Sequence, residues 1–311
     1  MCNTPVLLLI FNRPDTTQKV FEAIRQAKPA QLFIAADGPR DNNESDIEKC
    51  AQARKIATTV DWDCEVKTFF RNENRGCGHA PAEAISWFFE HVEQGIILED
   101  DILPSQSFFT FCEELLEKYK HDTTIMSIGG SNFLSTSFQV KDSYIFSDYS
   151  GSWGWASWRR AWQGYDHNIS SWTDKKNKEY LQQKFLPEQF LLLENIFNRV
   201  CNKNVADIWD FQWWYRRLLS GGFGIIPVVN LTKNIGFDAQ ATHTFTIGTE
   251  IKNAPLEQII FPLVHPAQQL VNKEYDRLLS KKYYWQDASA NSITKRIIAK
   301  LNSMVGNTTT K

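Results

Sequence analysis

Three adjacent carboxylates, Glu99-Asp100-Asp101, follow directly on the apolar run Gly95–Leu98. Held side by side they repel one another, and burial would raise their pKa values. A divalent cation removes that conflict. All-oxygen ligands suit Mg2+ or Mn2+, which bind one or two carboxylates together with a substrate's phosphates. The plainer alternative is a solvated acidic turn ahead of a helix, whose N-terminus favours negative charge. The surroundings favour the cation. Asp37 ends another strand pattern, where it could accept bonds from a base or ribose. Arg13 and Arg71 end two more, with Arg75 in the adjacent loop, and guanidinium groups suit a diphosphate. Together these residues describe a metal–diphosphate site at the carboxyl edge of a sheet.

Such a site needs a sheet to position it, and the first 130 or so residues alternate strand and helix signals. Apolar runs at Val6–Phe11, Leu32–Ala36, Glu65–Phe70, Gly95–Leu98 and Ile125–Ile128 read as strands. Between them, Asp15 is a plausible helix cap, and helices are predicted near Ile47–Ile56, over Ala82–Val92 and from Ser105 or Ser107 to Tyr119. Repeated βα alternation is the pattern of a mainly parallel sheet covered on both faces, which binds ligands at the carboxyl ends of its strands. The later residues read differently. Residues 144–172 are rich in aromatics, Ser and Gly, and Trp155, Trp158 and Trp162 fall at the spacing of one helix face. Helical patterns follow over about 174–185, 187–200 and 207–219, then a strand at Gly222–Val229 and a polar loop, Asn230–Thr246. The organisation expected is an α/β half over 1–135 that carries the acidic site, an aromatic-rich second half of the same domain over 136–250, and a helical extension over 251–311.

Composition limits the alternatives. The 311 residues are 42% hydrophobic and 23% charged, which is ordinary for a folded chain and excludes general disorder. With 34 basic and 36 acidic side chains the net charge is −2, which argues against a nucleic-acid partner. No stretch approaches the roughly 18 apolar residues of a membrane span, and Val6–Phe11 is too short for a signal peptide's apolar region, so the reading is cytoplasmic. Lys295, Arg296 and Lys300 beside Ile297, Ile298 and Leu301 could form a basic amphipathic helix that touches a membrane from the inner face. The six cysteines are scattered without a CxxC pair, which fits inert thiols better than zinc ligands or a disulfide framework.

The segment Gly95-Ile-Ile-Leu-Glu-Asp-Asp-Ile102, with its preceding βαβα pattern, resembles glycosyltransferases of the GT-A fold and their DxD-type acidic motif. More narrowly, it resembles bacterial sugar transferases related to the N-acetylglucosaminyltransferase that starts complex N-glycan branching. Phe11-Asn12-Arg13-Pro14, Ala36-Asp37-Gly38-Pro39-Arg40, Ser131-Asn132, Gly154-Trp155 with the Trp158–Trp162 segment, and Trp209-Asp210-Phe211-Gln212-Trp213 carry the same resemblance, spread over about residues 5–240. It implies a Rossmann-like GT-A sheet and the transfer of a sugar from a nucleotide-diphosphate donor, expected to be a UDP-sugar, to a glycan or glycolipid hydroxyl with inversion. It makes Asp101 the direct ligand of Mn2+ or Mg2+ and sets Asp100 and Glu99 on donor hydroxyls. Asp37 would read uracil or ribose, and Arg13 would lie near the nucleotide or its phosphates. Asp210 matches the general base, with Asp207 as the alternative. His243 lies where some GT-A enzymes place a late metal or phosphate ligand. Asn132, Trp155 and Trp213 fall on the acceptor side; Trp155, Trp158, Trp213 and Trp214 could floor a sugar site, although core packing is the commoner use of such residues.

Two other readings share parts of this pattern. A sugar nucleotidyltransferase uses the same sheet and cation, but Asn12-Arg13-Pro14-Asp15 lacks the Gly-rich segment expected after the first strand. A non-catalytic carbohydrate-binding protein could keep the fold alone. A glycoside hydrolase would need two carboxylates facing each other across a sugar, and clustered acids favour a metal instead.

Overall fold

A computed structural model describes residues 2–203, 208–237 and 253–284. Its centre is an eight-stranded sheet in the order β3-β2-β1-β4-β8-β6-β9-β7. The strands are β1 (Val6–Ile10), β2 (Gln31–Ala36), β3 (Glu65–Phe70), β4 (Gln94–Glu99), β6 (Ile125–Gly129), β7 (Tyr144–Ser147), β8 (Trp155–Trp158) and β9 (Phe223–Pro227). β3, β2, β1 and β4 are mutually parallel, β8 runs antiparallel to β4 and β6, and β9 is parallel to β6 and antiparallel to β7. This is the mainly parallel sheet that the alternation predicts, in the Rossmann-like form that the resemblance implies.

Side chains on successive strand residues point to opposite faces, and the two cores separate accordingly. Val6, Leu8, Ile10, Leu32, Ile34, Ile96 and Leu98 pack against helices α1 (Pro14–Ala27), α2 (Glu44–Thr58) and α4 (Gln106–Lys118). Leu7, Leu9, Phe33, Ala35 and Ile97 face α3 (Gly76–His91), the short helix α5 (Arg159–Trp162) and Trp209 and Trp213. β1, β2 and β4 are apolar on both sides because both sides are covered. A third core joins α6 (Lys175–Lys184), α7 (Pro187–Cys201), α8 (Asp210–Leu219) and α9 (Lys273–Leu279).

Two local expectations change. The Trp155–Trp162 segment is not one helix: Trp155–Trp158 is β8, pinned between β4 and β6, and only Arg159–Trp162 turns helically. On a strand, residues three apart face opposite ways, so Trp155 enters the α3 core while Trp158 enters the α1–α4 core and donates its indole N–H to the Leu116 carbonyl. Part of the polar loop after Val229 is also a strand. β10 (Thr232–Asn234) pairs antiparallel with β5 (Ile102–Pro104), which begins immediately after the acidic triplet. Beyond the second gap, 253–272 runs without helix along the sheet edge, with Ile259 and Leu263 reaching the first core. The predicted extension is helical, among the described residues, only over Lys273–Leu279 and the following π-turn Ser280–Tyr284. No described helix is long and apolar enough to cross a membrane. Residues 294–301, expected to form a basic helix, lie outside the described residues.

Candidate nucleotide-sugar and metal site

A cleft of about 690 Å3 opens at the carboxyl ends of β1, β2 and β4. Phe11, Asn12, Arg13, Asp37, Arg71, Glu99, Asp100, Asp101 and Asp210 all line it, as do Trp153 and Trp209. The sheet's alternation explains the acids. Ile97 faces α3 and α8, so Glu99, two residues on, faces the same side, where α8 begins with Asp210. Glu99 is pushed well above the ordinary carboxylate range by burial first, then by repulsion from Asp101, Asp210 and Asp100. Asp100 is buried beneath the β1 end and accepts the Phe11 N–H at 3.0 Å. Burial and the neighbouring Asp101 push its pKa up to about 7. Asp101 turns outward, and Arg13 donates to its Oδ2 at 2.8 Å. Gly236 closes over this pair, where a Cβ would collide with both Asp101 Oδ2 and Arg13 Nη1.

Mutual repulsion among Glu99, Asp100, Asp101 and Asp210 makes an oxygen-rich donor set that fits a hard divalent cation. Among the described residues no group of three His, Cys, Asp or Glu side chains is placed to hold a metal alone. Mg2+ and Mn2+ sites of the kind expected here take one or two carboxylates and complete the sphere with substrate phosphates and water.

Of the other two predicted arginines, Arg71, just after β3, lines the cleft, and Arg75 does not. Arg71 sits over the Phe69 ring, 4.2 Å from its centroid, and pairs with Glu83 at 2.7 Å; Arg75 reaches the same carboxylate at 3.5 Å. Both are therefore held by α3, whose N-terminus is anchored in turn by Asp37. Four donors occupy the carboxylate that was expected to read uracil or ribose: the N–H groups of Gly38, Arg75 and Gly76 and the Asn74 amide, at 2.9–3.1 Å. Burial raises the Asp37 pKa and these N–H donors oppose the rise. Asp37 is thus the tie between β2 and the start of α3.

The acceptor-side expectations are corrected. Trp155 and Trp213 are only 1% and 3% exposed and stack among Trp162 and Trp209 in the interior. Trp158 and Trp214 are buried as well. Asn132 is also buried and spent: its amide donates to the Pro227 and Val228 carbonyls and accepts from Leu134 N–H and the Tyr275 hydroxyl. The aromatic residues that line the cleft are Phe11, Phe69, Trp153 and Trp209, of which Trp209 is itself largely buried. Asp207 and His243 lie outside the described residues. Sequence reasoning assigned no site role to Arg40, Asp46 or Lys49, which also line the cleft; Arg40 closes the Asp37-Gly38-Pro39-Arg40 motif, whereas Asp46 and Lys49 stand in a polar stretch with no distinguishing spacing.

No family model matches the chain, and no curated protein matches it. Several solved structures are similar to it at low levels. HddC from Yersinia pseudotuberculosis is 11% identical, with 53% of this chain and 80% of that one covered at a TM-score of 0.31. The inositol-1-phosphate CTP transferase from T. maritima is 8% identical over 56% and 77% of the two chains, at 0.34. A UDP-glucose pyrophosphorylase complexed with UDP-glucose is 14% identical over 49% and 64%, at 0.26.

Proposed function

We propose that the cleft binds a nucleotide-diphosphate sugar, expected to be a UDP-sugar, and that the protein transfers the sugar to a hydroxyl of a glycan or glycolipid. The observation that carries this reading is the gathering of Glu99, Asp100, Asp101 and Asp210 in the same cleft as Arg13 and Arg71. A bound Mn2+ or Mg2+, held by Asp101, would supply Lewis-acid neutralisation of the leaving diphosphate, with Glu99 and Asp100 toward the donor's hydroxyls. Arg13, already bound to Asp101, brings positive charge to the same point, and Arg71 adds a second guanidinium on the cleft lining. Asp210 takes the proton of the acceptor hydroxyl as its oxygen attacks the anomeric carbon. The bond from that carbon to the diphosphate breaks in the same displacement, which inverts the centre. General-base assistance of this kind contributes about 10²–10⁴-fold. Trp153, half-buried on the cleft lining, offers apolar surface beside the reacting sugar.

Nucleotidyl transfer to a sugar phosphate is the second reading. It is the type of activity that the names of the CTP transferase and the pyrophosphorylase carry, and it would use the same sheet, cation and arginines. Glycosyl transfer is the first reading because Asp210, at the start of α8, lines the cleft beside Glu99 and the turn after β1 has no glycine. Product analysis separates the two. Incubation with UDP-sugars and an acceptor releases UDP under the first, whereas nucleoside triphosphate with a sugar 1-phosphate releases pyrophosphate under the second. Thermal shifts with UDP, GDP, CMP and ADP, with and without Mn2+, choose the nucleotide beforehand; a ligand at about 100 times its Kd adds ~2.7 kcal/mol. Absence of any shift would leave the carbohydrate-binding alternative standing and remove both enzymatic readings.

A further inference from the structure

Asp210 opens α8, so its Cα departs from the Trp209 peptide, and that peptide is gripped from outside the helix. The Trp209 carbonyl accepts the Trp213 N–H of α8 at 3.2 Å and also the Tyr165 hydroxyl at 3.1 Å. A peptide unit is planar from one Cα to the next, so a carbonyl held at two points fixes the plane that Asp210 leaves. The Asp210 carboxylate accepts the Phe211 N–H at 3.0 Å, which ties its rotamer to the same stretch of backbone.

Tyr165 is held in turn. Its ring stacks on Trp162, with centroids 4.3 Å and planes 10° apart. Close by, the Gln163 carbonyl accepts from Arg216 Nε and Nη2 at 3.0 and 2.7 Å, so residues 163–165 grip α8 near both ends. His167 Nδ1 lies 3.4 Å from the Tyr165 hydroxyl. The phenol has a single proton, and Trp209 takes it, so the histidine must donate at this contact. The His167 ring stacks on that of His79, 3.9 Å between centroids. His79 belongs to the first turn of α3, between Cys77 and Ala80, which line the cleft.

We infer that Tyr165 is a positioning residue for Asp210: its hydroxyl sets the aim of the base, and the His167–His79 stack braces that hydroxyl against α3. The inference rests on the reading of Asp210 as general base. A small misplacement of a reacting group slows the chemical step without a matching loss of binding.

The test measures UDP release, with Mn2+ and acceptor, from the UDP-sugar that turns over in the product analysis above. Wild type, Tyr165→Phe, Asp210→Asn and the double variant are compared. Tyr165→Phe keeps the stacked ring and removes only the hydroxyl. It should lower kcat about tenfold, short of the roughly hundredfold cost of a misplacement of about 1 Å, and leave KM and calorimetric UDP affinity unchanged. In the Asp210→Asn background the same substitution should cost nothing further, because residues that act as a unit are not additive. A merely structural role would cost the same in both backgrounds. His167→Ala removes the brace but leaves the hydroxyl, and should lower kcat about threefold, again only where Asp210 is present. It carries the test alone should Tyr165→Phe fail to fold. Unchanged kcat, a loss of UDP affinity that matches the loss of kcat, or a full further loss in the double variant would overturn the inference. A wild type that releases no UDP, or an Asp210→Asn variant as active as wild type, would overturn the base reading itself, and the role of Tyr165 with it.

Discussion

The chain crowds carboxylates in two places, and it treats them in opposite ways. In the interior, Asp148 and Asp276 are 0% and 1% exposed. Lys184 and Lys273 reach the two oxygens of Asp148 at 2.7 and 2.9 Å, while Asp276 accepts the Ser147 hydroxyl and the Asp148 N–H. That network joins the end of β7 to α6 and α9, and it closes on itself. At the carboxyl edge of the sheet, Glu99, Asp100, Asp101 and Asp210 repel one another around an open cleft, with Arg13 bound to Asp101. Protein groups enclose the first cluster, so it fastens the fold. The second faces a volume large enough for a ligand, so its repulsion can be answered from solution. Perturbed carboxylates alone do not separate these cases, since Asp100 and Asp276 are each pushed up to about 7. Enclosure does.

The sharpest way to break this contrast is Asp210→Asn. If Asp210 is the base, sugar transfer falls at least about a hundredfold while the melting temperature stays within a degree or two. Full activity in this variant would remove Asp210 from the mechanism.

The interior cluster should instead report through stability. Asp276 carries its proton up to about pH 7 in the fold, whereas its ordinary pKa is 3.8. Between these values the folded chain binds one more proton than the unfolded chain, so stability falls as pH rises through that window. The Asp276 share is on the order of 4 kcal/mol at one unit per 1.36 kcal/mol. Urea unfolding at a series of pH values would show it, and Asp276→Asn should flatten that part of the profile without altering nucleotide affinity.

Lys184→Met leaves buried Asp148 with Lys273 alone. A loss of about 2 kcal/mol is expected, as for a charged hydrogen bond, again with unchanged nucleotide binding. The smallest effect belongs to Trp155→Phe. The ring packs in the core, but no described group accepts its buried indole N–H. Phenylalanine gives up volume and also removes that unpaired donor, so the net change should be within about 1 kcal/mol, and acceptor KM should not move. A large rise in acceptor KM would return Trp155 to the sugar site.

Much of the fold is legible in the residues because the sheet's code is local. Runs such as Leu7–Ile10 and Ile96–Leu98 are apolar at every position, which only a doubly covered strand requires. The end of such a run must emerge at the sheet's carboxyl edge, so Glu99–Asp101 could be placed there before any coordinates. The Trp155–Trp162 segment was misleading for an equally physical reason. Its spacing satisfies a helix face, yet pairing with β4 and β6 binds its backbone on both sides and overrides the periodicity. β10 is only three residues long, too short for any pattern, and exists because β5 offers it an edge.

Residue type and spacing, then, determined the α/β order of the first half and the edge to which the acids belong. Tertiary structure decided which polar groups are already spoken for. Asp37 is filled by N–H donors from a loop 37 residues away or more, Asn132 by carbonyls from β9 and beyond, and the tryptophans by one another. It alone brought Asp46, Arg40 and Asn12 together. A carboxylate's chemistry depends on what stands within about 3 Å of it, and those neighbours come from parts of the chain that local sequence does not connect.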